Sequence, residues 1–148
     1  MKVYKFGGAS INTADRIKKV ASIIGENKKE KLLIIISAMG KTTNALETVV
    51  NTFFEGKKDE ALALFEQVKD AHLNTLKYLT TLQWNAATEQ LKDFFTEIEW
   101  LLHDKPVRSY DYYYDQVVCC GELFSTAIVA WHLREEGQDA AWVDVRDI

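Results

Sequence analysis

A short apolar segment that ends in two glycines opens the chain, "KVYKFGGAS" at residues 2 to 10. Val3 to Phe6 is apolar apart from Lys5, a pattern typical of a buried strand. The glycine pair Gly7-Gly8 predicts a tight turn directly after that strand. A charged lysine just before a glycine turn is unusual in a buried strand, so the function of Lys5 depends on what the turn contains.

The same succession of strand, polar turn and helix occurs a second time. A helix is predicted after the first turn, with Asn12 or Thr13 as its N-cap. The next strand, "KLLIIISA" at residues 31 to 38, is a continuous β-branched run, which predicts a strand covered on both faces of a parallel sheet. The stretch "MGKTTNALETVVNTFFEG" at residues 39 to 56 then supplies a polar turn and a helix.

The rest of the chain is mainly helical by its apolar spacing. Residues 58 to 104 predict two long amphipathic helices, joined by "TTLQWN" and with Asn85 capping the second, as an inserted helical hairpin. A further helix is predicted from Asp111 to Gly137, and "AAWVDV" at residues 140 to 145 predicts a third buried strand. The fold class is therefore α/β with a mainly parallel sheet, and the sheet is expected to be incomplete because three strands are few for such a domain.

Composition excludes several classes of function. The chain has 148 residues, a net charge of −4 and a pI near 5.4, so it lacks the excess of Lys and Arg that nucleic-acid surfaces and polybasic membrane patches need. No apolar run approaches the ~20 residues of a membrane span, and no signal peptide is predicted, so a cytoplasmic location is expected. Cys119 and Cys120 are adjacent and have no Cys-x-x-Cys partner, so neither structural zinc nor a disulfide framework is expected.

Two polar turns follow the carboxyl ends of the predicted strands, where open α/β sheets bind ligands. Gly7 to Ser10 and Ser37 to Asn44 could approach a phosphate closely, with backbone N–H groups of the following helices directed at it. The alternative is a simple glycine turn with Lys5 extending along the sheet edge. "GKTT" resembles the end of a P-loop, but the first glycine of that motif would fall inside the predicted strand, which excludes a P-loop NTPase.

Other polar positions also allow two interpretations. Thr42 to Asn44 could be N-caps of the helix that follows. Gly121 interrupts a predicted helix and so indicates a close approach, either of a ligand beside Glu122 or of a packed helix that leaves Glu122 solvated. The histidines lie on separate predicted helices, which favours core or surface roles over catalysis: His72, His103 and His132.

Three blocks of this sequence together resemble the aspartate kinases of the amino-acid kinase family. They are "KFGGAS", "IIISAMGKTTNAL" and "CCGELFST", and their order and separation make the match specific. The resemblance extends over the whole chain. It implies a three-layer α/β sandwich in which residues 1–148 are the N-terminal portion of one kinase domain. The nucleotide-binding half of that domain and the regulatory ACT domains would then be absent.

The resemblance also implies a reaction and its residues. Aspartate kinases transfer the γ-phosphoryl group of ATP to the β-carboxylate of L-aspartate, with Mg²⁺, in the biosynthesis of lysine, threonine and methionine. A carboxylate with a pKa of about 4 is already ionised at pH 7 and needs no general base. The enzyme therefore contributes positioning of the reactants and neutralisation of phosphate charge. By the family's pattern Lys5 is catalytic, and the ATP phosphates are held by Lys5, Gly7, Gly8 and Ser10. The residues implied for aspartate binding are Ser37, Thr43 and Glu122.

One position departs from the family's pattern, because Ala9 stands where a Thr or Ser is usual. The resemblance implies a homo-oligomer for the full-length enzyme and predicts negligible activity for this chain alone. Two alternatives remain at this point. The chain could begin a bifunctional aspartate kinase and homoserine dehydrogenase, or it could be a non-catalytic binding module with the same fold.

Overall fold

The computed structural model describes residues 1–27 and 29–148. The strands and helices in these residues follow the order predicted for the first two thirds of the chain. They are β1 (Lys2–Phe6), α1 (Ala14–Glu26), β2 (Leu32–Ile36), α2 (Thr42–Phe54), α3 (Lys58–Lys77), α4 (Trp84–His103), α5 (Tyr110–Val118) and α6 (Cys120–Glu135), with 3₁₀ turns at Gly8–Ile11 and Val145–Asp147.

The two strands form a parallel sheet joined by α1. Lys5 lies opposite Ile35 in the register, and the backbone N–H of Ser37 donates to the carbonyl oxygen of Phe6 at 3.0 Å. Thr13 caps α1, since its side chain accepts a hydrogen bond from the backbone N–H of Arg16. The predicted strand, helix and parallel strand are confirmed.

Helices cover only one face of this sheet among the described residues. Phe6 and Ile34 pack against the hydrophobic core on that face. On the other face Leu33 and Ile35 are 48% and 45% exposed. The prediction that β2 is covered on both faces is therefore wrong for this part of the chain. Because side chains alternate along a strand, Lys5 belongs to the uncovered face.

The predicted third strand is also wrong, because residues 140–145 pair with no strand in the part of the chain that is described. Residues 140–144 have no regular secondary structure and are not buried, with Val143 62% exposed, and Val145 begins a 3₁₀ turn. Its anchor is Trp142, whose indole Nε1 donates to Thr126 Oγ1 at 3.0 Å. β-branched composition gives a segment the propensity for a strand, but a neighbouring strand edge has to be supplied by the fold.

The helical hairpin of α3 and α4 is confirmed, although its predicted cap is not. Asn85 lies inside α4, which begins at Trp84. The start of α4 is instead capped by the carboxylate of Glu135 at the end of α6, which accepts the backbone N–H groups of Leu82 at 3.0 Å and Gln83 at 2.9 Å. A distant residue thus replaces the local cap and joins α4 to α6.

The last predicted helix is divided in two at Cys119, which separates α5 from α6. The whole stretch Tyr110–Glu135 is long and apolar enough, by length and composition, to cross a membrane, but 67% of its apolar window is buried inside the protein. At the centre of the core Phe124 packs edge-on against His72 and Phe95, each with ring centroids 5.1 Å apart. The apolar composition of this stretch is that of a core helix.

Candidate active site

The turns that follow β1 and β2 are in direct backbone contact. The N–H of Gly40 donates to the carbonyl oxygen of Gly8 at 3.1 Å. A Cβ atom on Gly8 would lie 2.4 Å from the carbonyl oxygen of Ala38, a separation that no side chain tolerates. Gly8 therefore allows the first turn to rest on the second, and Gly40, with a φ of +55°, adopts the left-handed conformation that glycine favours.

The outer side of the first turn is open. An added Cβ on Gly7 would meet no atom within 4 Å, and both Gly7 and Ser10 are exposed. The turn is closed by a hydrogen bond from the N–H of Ser10 to the carbonyl oxygen of Gly7 at 2.9 Å. Arg16 anchors it from α1 by donating to the carbonyl oxygen of Ala9 at 2.7 Å. A fixed, exposed glycine turn is suited to approach by a phosphate.

Lys5 lies immediately before this turn and is exposed. It takes part in none of the ion pairs found among residues 1–27 and 29–148. By contrast Lys2, on the same strand, pairs with Glu30 at 2.6 Å. The ammonium group of Lys5 is thus available to an anion at the carboxyl end of the sheet.

The second turn is organised by two hydrogen bonds to one of its carbonyl oxygens. Thr42 donates both its backbone N–H, at 3.0 Å, and its hydroxyl, at 2.6 Å, to the carbonyl oxygen of Met39. Thr42 is thus a donor within the turn and not an N-cap, and α2 begins after Lys41 without a side-chain cap. Thr43, the next residue, is half-buried.

The start of α6 packs against this second turn. A Cβ on Gly121 would lie 3.2 Å from Ala38 Cβ and 3.3 Å from Thr42 Cγ2, so Gly121 permits the close approach that its position in a helix indicated. Glu122 follows it and is exposed. The structure therefore shows close packing at Gly121 together with a solvent-exposed Glu122. The Glu122 carboxylate is accessible to a ligand.

A further contact joins α6 to the end of β2. The hydroxyl of Ser125 donates to the carbonyl oxygen of Ser37 at 2.7 Å and is buried. Sequence reasoning did not single out Ser125, although the block "CCGELFST" contains it. The elements that carry the expected phosphate-side and aspartate-side residues are thus joined by the Gly40–Gly8 backbone bond and by this side-chain bond from Ser125.

Two thiols lie at the junction of α5 and α6, three residues or fewer from Glu122. Both are directed at the carbonyl oxygen of Gln116, with Sγ distances of 3.8 Å for Cys119 and 3.3 Å for Cys120. A hydrogen bond from the Cys120 thiol lowers the pKa of Cys119 to about 7. The pKa of Cys120 is raised by the same pairing and by burial. Cys119 is the more exposed and the more acidic of the two.

The sequence and fold of this chain are similar to those of known proteins. The family model described as amino acid kinase family matches residues 1–148. The chain is 29% identical to a bifunctional aspartokinase/homoserine dehydrogenase 1 of Zea mays and 33% identical to aspartokinase 1 of Arabidopsis thaliana, with 99% of the chain covered in each case. It superposes with a TM-score of 0.82 and 26% identity on the crystal structure of Escherichia coli aspartokinase III in complex with aspartate and ADP.

The chain spans only part of each of these proteins. It corresponds to 16% of the maize protein, 26% of the Arabidopsis protein and 31% of the Escherichia coli chain. The structural match covers 99% of this chain, which confirms the α/β fold class with its small parallel sheet. Because the family model matches the whole of residues 1–148, the chain belongs to the amino acid kinase family.

Proposed function

We propose that this chain is the N-terminal portion of an aspartate kinase domain and supplies the aspartate-binding groups and part of the phosphate-binding groups of that enzyme. The reaction is transfer of the γ-phosphoryl group of ATP to the β-carboxylate of L-aspartate, which gives 4-phospho-L-aspartate and ADP. The observation that carries the proposal is the contact of the Gly8 turn with the Gly40 turn. It joins a glycine turn suited to phosphate to the turn that carries Thr43.

On the phosphate side, Lys5 neutralises negative charge on the transferring group. The turn contributes the backbone N–H groups of Gly7 and Gly8 and the hydroxyl of Ser10, whose own N–H closes the turn on the carbonyl oxygen of Gly7. These groups are held by bonds within the protein, so little reorganisation is needed when charge develops in the transition state. Ala9 lacks the usual hydroxyl, but its backbone is fixed by Arg16.

On the aspartate side, the accessible carboxylate of Glu122 suits the α-amino group of the substrate, and the Thr43 hydroxyl suits a substrate carboxylate. Ser37 lies at the floor of the site, where Ser125 fixes its carbonyl oxygen. The β-carboxylate is ionised at neutral pH and attacks phosphorus directly. Catalysis then depends on bringing this carboxylate in line with the γ-phosphorus.

The groups present in this chain suit only part of what ATP and Mg²⁺ require. The open glycine turn and Lys5 suit phosphate oxygens, whereas the described residues contain no group of three or more His, Cys, Asp or Glu side chains placed to hold a metal ion. Mg²⁺ commonly binds through substrate phosphates with few protein ligands, and when bound it neutralises phosphate charge. Lys5 and the turn would hold those phosphates from the protein side.

The wider biological setting also belongs to the proposal. We infer a role in the biosynthesis of lysine, threonine and methionine, a homo-oligomeric parent enzyme and a cytoplasmic location. The relatives include enzymes described as chloroplastic. The maize relative is described as a bifunctional aspartokinase/homoserine dehydrogenase and the Arabidopsis relative as an aspartokinase, and both match this chain over 99% of its length. The main proposal therefore holds whether the parent protein is a monofunctional aspartate kinase or a bifunctional aspartate kinase and homoserine dehydrogenase.

A chimera tests the proposal. In it, residues 1–148 replace the matching segment of Escherichia coli aspartokinase III, with which they superpose. Acyl phosphate is trapped with hydroxylamine as the hydroxamate in the presence of ATP, Mg²⁺ and L-aspartate. We expect hydroxamate from the chimera and negligible product from the isolated chain. A chimera that is folded by circular dichroism but forms no hydroxamate would contradict the proposal.

A further inference from the structure

We propose that His72 is a positioning residue for the aspartate site, acting through Thr42 on the turn that presents Thr43. This inference rests on the proposed function for its catalytic meaning, but its structural part can be tested without substrate. His72 belongs to the α3–α4 hairpin, which contributes none of the residues implied by the family resemblance.

The imidazole of His72 is buried and its hydrogen positions follow from its partners. The side chain is 1% exposed, and Nδ1 lies 2.7 Å from the carbonyl oxygen of Val68 one turn earlier in α3. A carbonyl oxygen can only accept, so Nδ1 carries the hydrogen. Burial lowers the pKa of His72, which keeps the ring neutral at pH 7. Nε2 is then an acceptor.

Nε2 faces the hydroxyl of Thr42 at 3.5 Å. That hydroxyl has a single hydrogen, which it donates to the carbonyl oxygen of Met39 at 2.6 Å. Two acceptors, His72 Nε2 and the carbonyl oxygen of Met39, therefore lie within 3.5 Å of one donor. On the methyl side, Thr42 Cγ2 is 3.3 Å from the place of a Cβ on Gly121. The Thr42 side chain is thus enclosed on its hydroxyl side by His72 and on its methyl side by α6.

His72 also contacts the helix that carries Glu122. Its ring packs edge-on against Phe124, with centroids 5.1 Å apart. One side chain therefore touches both elements of the aspartate site, the turn through Thr42 and α6 through Phe124. An apolar side chain of similar volume would fill the same space without the cost of burying a polar ring. An imidazole that is buried in the core and faces Thr42 therefore points to a role in fixing the turn.

Two near-isosteric variants separate this role from simple core packing. Gln places its terminal amide close to the Nε2 position, which faces Thr42, whereas Asn places its amide close to the Nδ1 position, which faces Val68. We expect His72→Gln to leave the backbone amide signals of Gly40 and Thr43 close to those of the unmodified protein in ¹H–¹⁵N spectra. His72→Asn should shift both signals. Equal shifts in the two variants, scaling with loss of thermal stability, would overturn the proposal.

Aspartate titrations of the same variants give the functional result. We expect Kd for L-aspartate to rise about tenfold in His72→Asn and less than about threefold in His72→Gln, because misplacement of a binding group weakens binding. If the unmodified protein binds no aspartate, the proposed function fails and the amide signals alone decide the role of His72. If binding is seen and His72→Asn binds as tightly as the unmodified protein, the role of His72 fails and the proposed function stands.

Variants of Thr42, the residue that His72 contacts, provide a second test if His72→Asn does not fold. Thr42→Ser keeps the hydroxyl that faces His72 and Met39, and Thr42→Ala removes it. Thr42→Ser should retain the amide signal of Thr43, and Thr42→Ala should shift it. A spectrum of the imidazole nitrogens adds a direct check: the neutral ring with its hydrogen on Nδ1 is expected at pH 7, and a hydrogen on Nε2 would contradict the arrangement.

Discussion

The backbone N–H of Gly40 donates to the carbonyl oxygen of Gly8 across 3.1 Å, and this bond joins the turns that follow the two parallel strands. The first turn carries the groups suited to phosphate and the second carries Thr43. α6 packs on the second turn at Gly121 and places Glu122 beside it. The candidate site is therefore built from three separate parts of the chain: a main-chain bond joins the two turns, and α6 packs on the second turn through side-chain contacts.

Replacement of the first-turn glycines tests this contact. Gly8→Ala should destabilise the protein by about 1–3 kcal/mol, because the new Cβ would lie 2.4 Å from the carbonyl oxygen of Ala38. Gly7→Ala is the matched control, since nothing lies within 4 Å of its Cβ and its φ of −76° suits alanine. Free energies of unfolding in urea should separate the two variants. Equal free energies would show that the close approach at Gly8 does not constrain the turn.

Lys5→Ala should impair phosphoryl transfer more than aspartate binding. In the chimera with the Escherichia coli relative we expect kcat to fall about 10²–10³-fold, because a preorganised charge is lost from the transition state. KM for aspartate should change less than about threefold. Lys2→Ala on the same strand is the control, since Lys2 pairs with Glu30 and should leave kcat unchanged. A rise in KM with unchanged kcat would overturn the role of Lys5.

Glu135 should make stability depend on pH in the acid range. The backbone N–H groups of Gln83 and Leu82 lower the pKa of its carboxyl. A carboxyl with a lower pKa in the folded state contributes stability above about pH 4.3 that is lost as the pH falls through the folded value. Unfolding free energies between pH 3 and 6 should therefore vary less in Glu135→Gln than in the unmodified protein. Glu136→Gln, which removes an exposed neighbouring carboxylate, should follow the unmodified protein.

The adjacent cysteines should differ in reactivity. The pKa of Cys119 is lowered to about 7, whereas Cys120 is buried with a raised pKa. Because the thiolate is the nucleophile, iodoacetamide at pH 7.5 should modify Cys119 at least about tenfold faster than Cys120. Mass spectrometry of peptides at successive times measures both rates. Rapid modification in Cys119→Ser would contradict this assignment.

Local patterns predicted the parts of the fold that local interactions determine. Helical spacing placed α1 to α4, and the β-branched run at residues 31–38 predicted a parallel strand. The cap of α1 was predicted to be Asn12 or Thr13, and Thr13 is confirmed; the prediction was possible because its partner, Arg16, is only three residues away. The cap of α4 was missed because it comes from Glu135, which is distant in sequence.

The errors have the same physical origin. Residues 140–145 have strand composition but no strand edge beside them in the described residues. The direction of the Thr42 hydroxyl depends on Met39 and His72. The hydrophobic periodicity of the sequence does not indicate that these two residues lie beside Thr42. The order of the three quoted blocks correctly indicated the family, and the close contacts at Gly8 and Gly121 explain why two of those blocks contain a glycine at these points of this chain.

Aspartate binding by the ¹⁵N-labelled chain tests the central claim most directly. Titration with L-aspartate should shift the amide signals of Thr43 and Glu122 saturably, and succinate, which lacks the amino group, should bind more weakly. Thr43→Val should weaken binding about tenfold or more, because a hydrogen bond to a charged group is lost. Thr48→Val, an exposed change on the same helix, should bind as the unmodified protein does. No saturable shift, or equal affinity in Thr43→Val, would contradict the assignment of an aspartate site.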